Sequence, residues 1–141
     1  MSRKSIFGVA AISALLFSAF LVQAQSTTST TLISAPEAKK MLEAGEFDLV
    51  LDVRTPEEYT GPFGHIKDAR LIPIQVLESQ LKDIEAYKDK KVLVYCHSGG
   101  RSAKSARILK DNGFKDVSDL QGGITGWKAQ GYATDNKASR N

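Results

Sequence analysis

The chain has 141 residues, enough for one domain and not two, and its 42% apolar and 25% charged content is that of a globular protein rather than a disordered one. The formal charge of +3 is spread without a basic stripe or polybasic cluster, which excludes nucleic acid and an anionic membrane surface as expected partners. A single cysteine excludes an internal disulfide, and two histidines with no CxxC or HxxxH spacing give no basis for a metal site, so neither metal nor cofactor is expected.

The first 24 residues differ from the rest. Arg3 and Lys4 precede an apolar run from Ile6 to Val22, and Val22-Gln23-Ala24 offers a small-residue cleavage site. This is the layout of a secretory signal peptide. The alternative is a retained membrane anchor, for which the run is short and interrupted by Ser13 and Ser18. Cleavage after Ala24 leaves 117 residues and predicts a periplasmic or secreted protein with no stable membrane association. Residues 25–31 are Ser/Thr-rich and read as a flexible leader. Residues 32–132 read as the folded domain, and the polar residues 133–141 as a frayed tail.

Within the domain, Ser34-Ala35-Pro36-Glu37 has the form of a capping box, Ala38, Met41 and Leu42 follow at helical spacing, and Gly45 is placed to end that helix. Leu49-Val50-Leu51 predicts a buried strand within Phe47–Val53. Thr55-Pro56-Glu57-Glu58 is a second capping box with proline at the first helical position, and Gly61-Pro62-Phe63-Gly64 is a loop. Leu71 and Ile72 form a short strand closed by Pro73, and Leu77, Leu81 and Ile84 mark one apolar helical face. Lys91–Tyr95 is another buried strand, Ser102–Asn112 a helix ended by Gly113, Val117–Leu120 a short strand and Ile124–Gln130 a last helix. Short strands that are apolar on both faces, alternating with helices, predict an α/β domain whose mostly parallel central sheet is flanked by helices.

The chemistry concentrates in Tyr95-Cys96-His97-Ser98-Gly99-Gly100-Arg101-Ser102. A buried strand stops, a small-residue loop follows and a helix begins. The carboxyl end of a strand is where sites collect in an open α/β sheet. A ring of backbone N–H groups at a helix start binds anions, and Gly99 and Gly100 let the chain curl so that its amides point inward. The same ring lowers the pKa of a thiol, and the thiolate is the nucleophile. Ser98 and Ser102 are placed to donate to the sulfur, and Arg101 to hold an anionic substrate or the loop itself. Cys96 is therefore read as reactive, although a lone cysteine is often only a small buried hydrophobe. His97 adjoins Cys96, but neighbouring side chains point apart, so it reads as a wall of the loop rather than as the partner of a Cys–His dyad.

Several separated stretches together resemble the rhodanese family over about residues 31–132. They are Asp52-Val53-Arg54 with Glu58-Tyr59; Gly64-His65-Ile66 with Ala69 and Ile72-Pro73; Tyr95-Cys96 through Arg101-Ser102; and Leu120-Gln121-Gly122-Gly123-Ile124 with Trp127 and Gly131. The resemblance implies a single rhodanese-like domain and a catalytic persulfide on Cys96. It implies that His97, Ser98, Gly99, Gly100, Arg101 and Ser102 bind the substrate or persulfide, with Asp52, Arg54 and His65 as structural support for the loops nearby. The implied reaction is sulfur transfer from a small anionic donor such as thiosulfate to cyanide, a thiol or a protein acceptor. Two departures stand out: four residues, Thr60 to Phe63, separate Tyr59 from Gly64 where the family commonly has about two, and Asp68 stands where glycine is usual.

The rivals are a non-catalytic binding or sulfur-relay module and, on the same fold, a cysteine-based phosphatase or arsenate reductase. An intact loop with its cysteine disfavours the first. The second family members carry a loop one residue longer, widened for a tetrahedral oxyanion, whereas four residues separate Cys96 from Arg101 here.

Overall fold

Both predicted N-caps close as local chemistry requires. In a computed structural model that describes residues 30–137, the Ser34 hydroxyl accepts from the Glu37 N–H at 3.3 Å and starts α1 (Ala35–Glu43). Thr55 and Glu58 form the full reciprocal capping box of α2 (Pro56–Tyr59). At α1 the side chain of Glu37 does not return the bond, so only the Ser34 half of that box is present. The apolar segment 1–24 lies outside the described residues, and among those described no helix is long and apolar enough to cross a membrane.

Five strands make one parallel sheet in the order β1-β5-β4-β2-β3. They are β1 (Thr31–Ile33), β2 (Leu49–Asp52), β3 (Arg70–Leu71), β4 (Lys91–Tyr95) and β5 (Asp116–Leu120). The apolar runs are buried on both sides because each face of the sheet carries its own helical layer. Leu49, Leu51, Val92, Val94 and Val117 point into one layer, where α3 (Ile74–Leu77) and α4 (Gly100–Asp111) cover them. Val50, Leu93, Tyr95 and Leu120 point into the other, under α1, α2 and α5 (Gly123–Ala129). The α/β architecture with a parallel sheet flanked by helices is thus the one expected, and every strand pair is parallel.

Four local features differ from the sequence reading. Thr31, placed in the leader, belongs to β1, which adds to the sheet edge through the pairs Thr31–Ser118, Leu32–Asp119 and Ile33–Leu120. The helix expected around Leu77–Ile84 is instead α3 followed by a 3₁₀ segment, Glu78–Tyr87. Leu81, Ile84 and Tyr87 recur every three residues, which aligns them along one face at three residues per turn but not at 3.6. α4 begins at Gly100, two residues earlier than expected. Finally, the start of the polar tail is held in place: Asp135 and His65 exchange backbone hydrogen bonds at 2.6 and 2.8 Å in an antiparallel bridge.

Candidate active site

β4 runs in the middle of the sheet, so its carboxyl end is walled by β2 on one side and β5 on the other. Cys96 is the first residue past that end and is only 1% exposed. Its side chain follows Val92 and Val94 onto the α4 face, yet the sulfur does not look only into the apolar layer. The chain turns at Gly99, whose φ of +121° is open to glycine and strained for other residues, and enters α4 at once. The turn folds the loop back over the sulfur. The Gly99 N–H donates to Cys96 Sγ at 3.1 Å, and the Ser102 hydroxyl lies 3.5 Å from it. The backbone N–H groups of Ser98 and Ser102 add to these in favouring the thiolate. Burial alone would push the thiol up, but the Ser102 hydroxyl and the N–H groups of Ser102, Gly99 and Ser98 outweigh it, so the Cys96 pKa lies below that of a free thiol. The loop thus sets the Gly99 N–H on the sulfur, with half-buried His97 and exposed Ser98 and Gly100 beside it.

α5 holds the loop from behind. The N–H groups of Ile124 and Thr125 donate to the carbonyls of Cys96 and His97 at 2.9 and 3.1 Å. This close approach leaves no room for a side chain at Gly123, where a Cβ would stand 2.6 Å from the His97 carbonyl oxygen. The His97 ring packs edge-on against Phe63, with ring centroids 5.3 Å apart. Among the described residues it makes no hydrogen bond to Cys96, in keeping with a wall rather than a dyad. Phe63 belongs to the lengthened stretch between Tyr59 and Gly64, so the extra residues of that loop reach the rim of the site.

Arg101 does not point at the sulfur. Its two terminal nitrogens each donate to one carboxylate oxygen of Glu58 at 2.7 Å, a bidentate pair joining the first turn of α4 to α2. Of the two roles expected for Arg101, the structure therefore supports holding the loop. The Arg101 guanidinium, opposed by desolvation and helped by the Thr55 N–H, holds the Glu58 carboxyl down at about 2.

The three supporting residues form the frame beneath. Asp52 and Arg54 are buried and paired, with Arg54 Nη2 2.6 Å from Asp52 Oδ2 and 2.7 Å from the Gly64 carbonyl. Burial would lower the Arg54 pKa, but Asp52 more than compensates and raises it, so the cation persists without contact with water. The Arg54 guanidinium also lies over the Tyr95 ring at 5.5 Å, and the Tyr95 hydroxyl accepts from the Ile66 N–H at 3.0 Å. His65 stacks on Tyr59 with ring centroids 3.6 Å apart, and its Nδ1 meets the Tyr59 carbonyl at 2.9 Å. Asp68 has φ of +62°, the left-handed backbone in which glycine is the easy choice and Asp one of the few tolerated replacements. None of these three supporting side chains hydrogen-bonds to Cys96; they fix the loops around it.

Three contributors escaped the sequence reading. Glu58 was visible as half of a capping box and as part of the Glu58-Tyr59 stretch, with no signal that it would pair with Arg101. Gly123 was visible only as part of a motif. Asp119 is 4% exposed near the end of β5, and its one signal was a charged residue between Ser118 and Leu120 in a short strand.

A family model described as a rhodanese-like domain matches residues 34–130. The chain is 33% identical over 99 residues to a sulfurtransferase of Allochromatium vinosum, covering 70% of this chain and 89% of that one. It is 35% identical over 107 residues to a probable adenylyltransferase/sulfurtransferase of Mycobacterium tuberculosis, covering 76% of this chain and 26% of the relative. The chain also spans 59% of the length of an uncharacterised relative from Synechocystis. Among solved structures it is similar to a rhodanese-related protein of Thermoplasma volcanium, with 34% identity, a TM-score of 0.67, and coverage of 76% of this chain and 99% of that one. It is likewise similar to a Rhodopseudomonas palustris protein described as a possible tyrosine phosphatase, with 27% identity, a TM-score of 0.70, and coverage of 78% and 88%.

Proposed function

The chain belongs to the rhodanese-like family, and from that premise we propose that it is a sulfurtransferase whose Cys96 carries the transferred sulfur as a persulfide. The observation that carries the reading is the collar: Cys96 Sγ receives the Gly99 N–H at 3.1 Å, with further donors in Ser98 and Ser102. In the first step the Cys96 thiolate attacks the outer sulfur of thiosulfate. A new S–S bond forms, the old one breaks, and sulfite leaves with the electron pair. In the second step cyanide or a thiolate attacks the outer sulfur of the persulfide, and the Cys96 thiolate leaves with the pair of the broken bond. Charge is conserved in both steps. The amides stabilise the anion on either sulfur without reorganising, because the loop and α5 have already fixed them.

The resemblance to a possible tyrosine phosphatase makes oxyanion chemistry the second reading. Against it stands Arg101, the one cation of the loop, which is committed to Glu58 in a bidentate pair. A phosphoryl group in the short ring would have the main-chain amides but not that guanidinium. A persulfide, one atom larger than the thiolate, asks for less room.

The test is intact-mass spectrometry after exposure to thiosulfate. The expected result is a gain of one sulfur, removed by cyanide and absent in Cys96→Ser. Unchanged mass combined with hydrolysis of aryl phosphates would replace this reading by the phosphatase one. The segment ending at Ala24 adds export to the proposal: N-terminal sequencing of protein recovered outside the cytoplasm should begin at Gln25, and a sequence starting at Met1 or Ser2 would argue for a retained anchor.

A further inference from the structure

Asp119 is a carboxyl group buried where no cation meets it. It is 4% exposed, its Oδ1 has no hydrogen-bond partner, and the hydroxyl of Ser102 is the one polar group that favours its ionised form. A buried unpaired carboxylate is costly, whereas the neutral acid is much less so. β4 presents Val94, the register partner of Asp119, and beyond it on the same face Cys96. β1 presents Leu32 as the partner on the other side. α4 presents Ser102 and Ser105; its Arg101 is paired with Glu58, and Lys104 and Arg107 are exposed. Among the described residues of these elements, Cys96 is the other titratable group on this face of the sheet.

Ser102 is the hinge of the arrangement. Its hydroxyl is buried, donates to the Gly99 carbonyl at 3.1 Å, lies 3.5 Å from Cys96 Sγ, and favours the ionised form of the Asp119 carboxyl. A hydroxyl has one proton to give and can also accept. It cannot serve the sulfur and a carboxylate with the same proton.

We propose that Asp119 is a positioning residue that governs Cys96 through Ser102: as the neutral acid it donates to the Ser102 oxygen and turns the hydroxyl proton onto the sulfur, and as the carboxylate it draws that proton away. Ionisation of Asp119 releases its own proton to solvent, so only the hydroxyl proton changes direction. Burial acts in the same sense by raising the Asp119 pKa, opposed in part by the Ser102 hydroxyl. The consequence is reciprocal: whichever of Asp119 and Cys96 ionises first displaces the other upward. This deepens the reading above and rests on Cys96 being the ionised nucleophile.

The experiment reads the two ionisations directly rather than sulfur transfer. The thiolate is followed by the rate of iodoacetamide alkylation against pH in wild type, Asp119→Asn, Ser102→Ala and the double variant, so that the effect of Asp119→Asn is read with and without the hydroxyl. The carboxyl is followed by the ¹³Cγ NMR shift of Asp119 against pH in wild type and Cys96→Ser. The expected result is a downward displacement of roughly one pH unit in one of the two midpoints, Cys96 in Asp119→Asn or Asp119 in Cys96→Ser, equivalent to about tenfold in ionised fraction. In Ser102→Ala the displacement should shrink. Identical midpoints in both comparisons would overturn the coupling, and a displacement undiminished in Ser102→Ala would overturn the route through the hydroxyl. If Asp119→Asn does not fold, the NMR titration decides, with an Asp119 ¹³Cγ that ignores Cys96→Ser overturning the proposal. Failure to load sulfur from thiosulfate would overturn the preceding reading and leave these titrations as they are.

Discussion

Replacing Glu58 by Gln removes one charge and one of the two oxygens that accept from Arg101, while the remaining amide oxygen at this position of a capping box can still accept from the Thr55 N–H. The cost can be worked from the ionisation of the native residue. Its pKa falls from 4.5 to about 2, chiefly through the hydrogen bonds from Arg101. At about 1.4 kcal/mol per pH unit that bounds the pair near 3 kcal/mol. The two side chains remain 33% and 30% exposed, so solvent screening brings the expected loss down to about 1–2 kcal/mol. The sign follows from the direction. A carboxyl whose folded pKa is depressed stabilises the fold above pH 4.5 and loses that contribution as pH falls towards 2, half of it by about pH 3. Urea denaturation of wild type and Glu58→Gln should therefore differ by about 1–2 kcal/mol at pH 7 and converge below about pH 3. A difference that persists at low pH would refute the electrostatic account, and no difference at pH 7 would mean that the bidentate pair does not brace the loop.

Asp52→Asn would leave the Arg54 guanidinium buried without its counter-charge, which costs about 3–5 kcal/mol. Calorimetry should show Tm lowered by more than about 10 °C, and a fall of only a degree or two would mean that Tyr95 and the Gly64 carbonyl suffice. Gly123→Ala would force a Cβ against the Cys96 and His97 carbonyls at φ of +56°, with an expected loss of about 1–3 kcal/mol by urea denaturation and a slower alkylation of Cys96 at neutral pH. Unaltered alkylation would separate α5 from the collar. An alanine inserted after Gly99 would widen the ring and should lower the single-turnover rate of sulfur transfer from thiosulfate at least about tenfold; a native rate would show that ring size is not what suits the loop to a single sulfur.

What could be read from the sequence is local in origin. N-caps at Ser34 and Thr55 depend on a side chain and an amide three residues on. Strand identity depends on apolar runs, and Cys96 at a strand end before Gly99-Gly100 already implied a collar of amides at a helix start. The 3₁₀ turn at Glu78–Tyr87 went unread because spacings of three and four are close, and packing against the sheet chose between them. β1 went unread because three residues of Thr-Leu-Ile carry too little pattern, and only pairing with β5 makes them a strand.

The residues that tune the site are a different matter. Arg101 and Glu58 lie 43 positions apart, and their union depends on α2 and α4 converging at the same end of the sheet. His65 and Asp135 meet only because the chain after α5 returns past α2. Asp119 reaches Ser102 because parallel pairing of β4 with β5 sets Val94 beside it and the strand alternation then puts Cys96 on the same face. The sequence by itself singled out the sulfur proposed to react and the kind of loop that carries it, since both follow from neighbours within a few residues. Only the tertiary structure decided which charges and hydroxyls surround that atom, because electrostatic and hydrogen-bonding partners are chosen by proximity in space, and proximity in space is set by the sheet order.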